Sequence, residues 1–507
     1  MSVSAPAKES SAETEGRPVL DPTMAPPESN HAARSSKLGL AALGVYGSGA
    51  LVENITTVAI GGLLLFYLTI VCGLSGSYAG AALGATLVVD SLIDPVVGSI
   101  SDNSRSPHGR RHPFMIASII PIVVTFGLLF SVPRGLTGLP LFGYALATLL
   151  SLRVAISFFY VPYMALGAEL SDDYAERSSI VAGRVLFTVI GGLAAAFLIW
   201  GIFLKGPNGR FIGAAYSPLA WTLGAIVAFG ALLSTLGTLR ARGRLHAAPR
   251  DSSFGFGQFT GELLEVLRNR SFISLFMPCL ILFTALGVAG TLTLHANTFF
   301  WKLSSNQILL LSLLAPIGVF GGIFGAAGLA RRMEKRSAAM LGLATIGVAQ
   351  VAPVLLRLSG VISLDAAVPT LAAAMILGGL GGAVATIAFQ SMMADAADEH
   401  EFLFGARREG LYFAGITLSA KASSGLGAWI GGIALDVIGF PHGVSNPALL
   451  AKIPAETIRN LGIAYGPGAS LFTAVAVLVL MTYKLTKADH ARIQADLRAR
   501  RADKTAG

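Results

Sequence analysis

Ile116-Ala117-Ser118-Ile119-Ile120-Pro121-Ile122-Val123-Val124-Thr125-Phe126-Gly127-Leu128-Leu129-Phe130 decides the fold. The run sits in an apolar block, residues 113–132, close to the ~20 residues that cross ~30 Å of hydrocarbon. Outward from it, similar blocks fall at 42–71, 78–100, 139–167, 179–204 and 218–238. A polar stretch follows, and then blocks at 272–300, 306–330, 338–357, 367–393, 410–438 and 466–485. The whole chain of 507 residues is 53% hydrophobic and 13% charged. Roughly 25% charge is usual for a soluble domain, so a water-facing surface of this size would be left uncovered. The 59 glycines would weaken soluble helices by about 1 kcal/mol each, but small residues let membrane helices approach closely. The expected fold is an all-α polytopic membrane protein with about twelve spanning helices.

Lys and Arg in the loops set the orientation. One side collects Arg105, Arg110, Arg111, Arg177, Arg240, Arg268, Arg331, Lys335, Arg407 and Arg408, and the other holds fewer, among them Arg134, Lys205 and Lys302. Both termini are therefore expected in the cytoplasm. The expected organisation is a disordered tail (1–37), a six-helix bundle (38–238), a cytoplasmic linker (239–271), a second six-helix bundle (272–486) and a basic tail (487–507). The net charge of +9 does not point to nucleic acid, because the basic residues lie in short loops between apolar spans. Cys72 and Cys279 fall in or at apolar segments and make no disulfide framework. The sequence carries no nucleotide loop, metal-ligand cluster or nucleophile triad motif, so an enzyme is not expected, nor any cofactor.

Ionisable residues inside the apolar blocks ask for a reason, because each is unfavourable by about 2.5–3.5 kcal/mol at the bilayer centre. Asp90 and Asp94, four residues apart, share one helix face. At ~1.5 Å per residue, Asp90 lies ~18 Å below the outer end of its helix and Lys421 lies ~17 Å above the cytoplasmic end of its own. Glu53 and Asn54 lie at a similar depth, and Arg153 is midway along the fourth block. These side chains come from both halves and fall near one plane, as in a midplane site at a repeat interface. Carboxylate oxygens suit a hard cation such as Na⁺, and a close carboxylate pair could carry a proton instead. The alternative is a set of buried ion pairs that fix helix packing.

Several motifs narrow the reading. Asp94-Pro95-Val96-Val97-Gly98 leads to Asp102 and then to Gly109-Arg110-Arg111-His112-Pro113. Tyr160-Val161-Pro162-Tyr163 leads to Glu169, Asp172, Asp173 and Arg177, and Ala394-Asp395 leads through Asp398 to Arg407-Arg408-Glu409. The acidic ends of the fourth and tenth blocks match in position, a weak internal repeat. With Asp90, Asp94 and Lys421, this pattern resembles the glycoside–pentoside–hexuronide:cation symporters of the major facilitator superfamily, over most of residues 38–485. The resemblance implies a twelve-helix carrier in which Asp90 and Asp94 hold the coupling cation, Na⁺ or H⁺, with Lys421 beside them. It also places Arg184 near the sugar. The acidic sugar-binding positions of the melibiose carrier are matched here by Asn54, with Glu53 beside it, and by Tyr160, which puts a simple galactoside in doubt. Arg153 favours an anionic substrate such as a uronate or pairs with Glu53. His295 lines the cavity from the second half. Asp102, Arg110, Arg111, Glu169, Asp172, Arg177, Asp395, Asp398, Arg407, Arg408 and Glu409 read as cytoplasmic gate pairs or as a solvated charged rim.

The expected function is cation-coupled symport of a sugar or glycoside, by a monomer in the bacterial inner membrane. The same fold carrying a lysophospholipid or other amphiphile is a second reading, and a non-transporting sensor a third. A sugar site needs polar groups around a closed cavity, whereas a lipid site needs an apolar path open to the bilayer.

Overall fold

The computed structural model of the chain describes residues 39–104, 106, 109–171, 173–239, 266–405, 409–444 and 452–506. The expected N-terminal tail and most of the expected linker lie outside them. The described residues hold no β-strand. Ten helices come in order as α1 (Leu40–Leu64), α2 (Gly76–Asp102), α3 (His112–Leu129), α4 (Gly138–Glu169), α5 (Glu176–Phe203), α6 (Gly213–Leu239), α7 (Arg270–Phe300), α8 (Ser305–Leu329), α9 (Lys335–Leu358) and α10 (Ala367–Phe404). They are followed by α11 (Glu409–Val437), α12 (Ala455–Leu480) and α13 (Lys487–Ala506). Among the described residues, 11 helices are long and apolar enough to cross a membrane. The two outside that set are α11, whose 29 residues include Lys421, Asp436 and many Ser and Gly, and the basic α13.

The polarity of α11 follows from its position. It packs between α2 and α7, which face its Lys421 and its glycines, while Leu426, Trp429 and Val437 remain exposed. Glycines make that packing close. A Cβ added at Gly84 of α2 would stand 2.8 Å from the Gly425 carbonyl of α11, and one at Gly425 would stand 2.8 Å from the Gly84 carbonyl. Gly76 and Gly432 meet more tightly still. Such a small-residue seam brings two backbones into van der Waals contact without a hydrophobic driving force. It also sets the register between α2 and α11, which places the α2 carboxylates opposite Lys421.

The two sets of helices, α1 to α6 and α7 to α12, are tied at the end away from the Arg-rich loops. Asp436 at the end of α11 caps α2: its Oδ1 accepts from the Gly76 amide and its Oδ2 from the Ser77 amide, each at 2.8 Å. The Gly443 amide donates to the Thr69 carbonyl at 2.9 Å. Arg210 donates to Thr298 Oγ1 at 2.8 Å and to the Leu303 carbonyl at 2.7 Å. Burial pulls the Arg210 guanidinium down to about 10, so it remains a cation at neutral pH. Ser305 Oγ donates to the Leu204 carbonyl at 2.7 Å. Widened π-type turns end both α1 and α7 near this tie, at Ile60–Leu64 and Ala296–Phe300.

The expected basic tail forms α13, which docks on α10. Thr486 and Asp489 cap it reciprocally: the Thr486 amide donates to Asp489 Oδ2 and the Asp489 amide to Thr486 Oγ1, both at 3.2 Å. Ile493 and Leu497, four residues apart, form its buried stripe.

Candidate functional site

The seam between α2 and α11 builds the centre of the site. Lys421 Nζ lies 2.8 Å from Asp90 Oδ2 and also pairs with Asp94 Oδ2. Ser157 of α4 completes the group: its hydroxyl stands 3.0 Å from Asp90 Oδ1 and 2.8 Å from Asp94 Oδ1. One lysine from the second set of helices is thus held by two carboxylates from the first. Asp90 is 3% exposed, so an unpartnered charge there would be strongly unfavourable. Ser157 is the residue that sequence reasoning missed. Its signal was available, since it stands one turn beyond Arg153 and one before Tyr160 on the same helix face.

One cavity adjoins this group, and a second borders the first at Gly290. The first, about 500 Å³, is lined by Glu53, Asp90, Arg153 and Lys421, with Thr57, Thr291 and Ser424. Arg153 is buried, and its Nε has no hydrogen-bond partner. Glu53 and Arg153 share this cavity without an ion pair between them; the Glu53 carboxylate accepts instead from the Thr57 hydroxyl at 3.4 Å. The second cavity, about 700 Å³, lies against α1, α5, α7 and α8, and most of its lining is apolar. Asn54 lines it, with a buried Oδ1 that has no partner. Gly290 lines both cavities.

Three other candidate side chains lie apart from this group. The Tyr160 ring packs 6.0 Å from the Tyr163 ring. Arg184 donates to Met164 Sδ at 2.7 Å. His295 is fully buried, 3.0 Å from Thr69 Oγ1, and packs among Phe66, Phe299 and Phe440 at the tied end.

The candidate gate residues group at the opposite end. Glu169 Oε1 accepts from Arg110 Nη2 at 2.7 Å and from Arg111 Nη2 at 3.0 Å, and Arg111 also pairs with Asp102. Arg177 Nε donates to the Ser171 carbonyl at 2.8 Å. Asp395 pairs with Lys335 at 2.6 Å, and Asp398 with His490 of α13 at 3.0 Å. Each of these pairs joins residues of one set of helices and its own tail. Glu409 opens α11, while Asp172, Arg407 and Arg408 lie outside the described residues.

Residues 45–487 match the family profile described as MFS/sugar transport protein. An uncharacterized symporter of Synechocystis sp. is 24% identical, over 90% of this chain and 96% of its own. The isoprimeverose transporter of Lactiplantibacillus pentosus is 22% identical, over 87% of this chain and 88% of its own. Among solved structures, a bacterial homolog to the human lysosomal transporter Spinster, inward-facing and unoccupied, superposes with a TM-score of 0.60 at 13% identity, covering 88% of this chain and 98% of that one. The fold is that of the major facilitator superfamily.

Proposed function

The chain belongs to the MFS/sugar transport protein family, the glycoside–pentoside–hexuronide:cation symporters, and from that premise we propose that it couples a cation, Na⁺ or H⁺, to uptake of a sugar or glycoside by alternating access. It is a multi-pass membrane transporter rather than an enzyme. In this reading α11 is the twelfth span, both termini are cytoplasmic, and the protein works as a monomer in the bacterial inner membrane. The tied end then faces outward, and the conformation is inward-facing.

One observation carries the proposal: Lys421 is shared between Asp90 and Asp94 across the boundary between the two sets of helices. With no cation bound, the ammonium offsets one of the two carboxylate charges. A cation entering between Asp90, Asp94 and Ser157 displaces it, and the link between α2 and α11 is broken by the same event. Occupancy and rearrangement are thus joined in one contact. Energetically one cation is enough. A tenfold gradient supplies ~1.4 kcal/mol and ~100 mV adds ~2.3 kcal/mol per charge, sufficient for several hundred-fold accumulation.

The test is uptake into proteoliposomes of labelled glycosides, pentosides and hexuronides under an imposed Na⁺ or H⁺ gradient. Accumulation that collapses with the gradient supports symport. Full accumulation by an Asp90→Asn/Asp94→Asn double variant would remove the cation site from these residues. A second cargo, a lysophospholipid or another amphiphile, is favoured by the apolar lining of the 700 Å³ cavity. Uptake of such a lipid with none of any glycoside would decide for it.

A further inference from the structure

The two cavities differ in chemistry but meet along one helix. Glu53, Thr57 and Gly61 of α1 line the charged cavity, while Asn54, Val58 and Gly62, each one residue further on, line the apolar one. The wall of α1 therefore separates them, and Gly290 of α7 borders both. The charged cavity of about 500 Å³ already lies within the ~300–1,000 Å³ usual for a small-molecule site. A sugar has no need of the larger chamber, whose walls include Val189, Leu193, Trp200, Phe320 and Met375.

We infer that the substrate is a glycoside with a bulky apolar aglycone. The sugar occupies the cavity lined by Glu53, Arg153 and Lys421, and the aglycone occupies the chamber bounded by α1, α5, α7 and α8. This inference rests on the symport reading and narrows its substrate.

The experiment compares methyl, phenyl and naphthyl glucosides, galactosides and xylosides in proteoliposomes of the full chain under a cation gradient, with protein-free liposomes subtracted for membrane partition. Each buried methylene is worth about fourfold in affinity, so the half-saturating concentration should fall at least tenfold from methyl to naphthyl. Gly62→Leu should abolish that selectivity and bring the naphthyl-to-methyl ratio to about one, because a Cβ there meets nothing within 4 Å and the side chain fills the chamber. Ala315→Phe, which fills the chamber from the α8 wall, repeats the test should Gly62→Leu fail to fold. Gradient-driven accumulation of methyl and naphthyl glycosides with equal half-saturation would overturn the aglycone and leave symport standing. A selectivity that survives both filling variants would also overturn it. Absence of glycoside accumulation altogether would overturn both.

Discussion

Replacing Lys421 by methionine separates a competitor from a ligand. The ammonium holds Asp90 Oδ2 at 2.8 Å and also pairs with Asp94 Oδ2. Methionine keeps much of the stem and removes the charge. Losing one partner of a buried ion pair is unfavourable by about 3–5 kcal/mol. The lower figure applies here, because the Lys421 and Asp94 side chains are 25% and 26% exposed and water shares in the neutralisation. In the wild type an entering cation must displace the lysine and forgo that ~3 kcal/mol. In Lys421→Met nothing is displaced, and the cation alone relieves two bare carboxylates. Apparent cation affinity should therefore rise, by up to roughly 100-fold. Uphill transport should be lost, since cation binding no longer breaks a link between α2 and α11. Calorimetric titration of the purified variant with Na⁺, and with protons through pH-jump measurements, reads the first effect; proteoliposome uptake reads the second. A cation affinity that is unchanged or weaker in Lys421→Met would refute the displacement argument and make the lysine a structural clamp.

Ser157→Ala removes the hydroxyl beside both carboxylates. A hydrogen bond to a charged group contributes about 1.5–3 kcal/mol, so cation affinity should fall about tenfold and Ser157→Thr should restore it; equal affinity in all three proteins counts against a role for Ser157. Asp436→Asn removes the charged cap that the α2 amides share. The conformational equilibrium should move by about 1 kcal/mol away from the state tied at this end, which spin-label distances between α2 and α11 would report as a longer component; an unchanged distribution would remove Asp436 from the tie. Gly425→Val places a Cβ 2.8 Å from the Gly84 carbonyl. The seam should open and transport should fall by more than tenfold in protein that still inserts, since a methyl-sized overlap between backbones costs about 1–3 kcal/mol; wild-type uptake would show that the approach is not needed.

Much of the fold was legible because hydrocarbon thickness imposes one length on every span, and the apolar blocks match the helices to within several residues. Two exceptions are informative. The block 367–393 stops short of α10, which runs on through its acidic end to Phe404, and the block 466–485 marks only the later part of α12, which begins at Ala455. Its first turns contain Glu456, Arg459 and Asn460, which an apolar run does not register. The helix α13 was missed for a related reason: most of its apolar residues are alanines set among charges, and its clearest signals are the Thr486–Asp489 cap and the Ile493/Leu497 pair. At the site, the charges on α2 and α11 were readable because ionisable groups in an apolar span are rare. Ser157 carried only the weaker signal of sharing a helix face with Arg153 and Tyr160, since a hydroxyl in a span is common and a sequence does not say which carboxylate it faces. The two-cavity arrangement was unreadable. Glu53, Thr57 and Gly61 and their neighbours Asn54, Val58 and Gly62 both follow the helical spacing, which gives two faces of α1 but not what each face bounds.

Sharing one lysine between two sets of helices also sets a limit on what the cation can do alone. Moving a two-state equilibrium from about 1:99 to 99:1 takes ~5.5 kcal/mol of differential affinity. Displacing Lys421 accounts for about 3 kcal/mol of that at most. The remainder, about 2.5 kcal/mol by difference, has to come from another ligand with a preference for one state. The sugar cavity is placed to supply it, because its walls carry Glu53 from α1, Arg153 from α4 and Thr291 from α7, and so draw on both sets of helices. A cation by itself then leaves the carrier mostly where it was, which prevents an uncoupled leak, and cation and glycoside together complete the shift. Coupling in this view needs no long-range signal. It follows from two insufficient ligands acting on one hinge between α2 and α11.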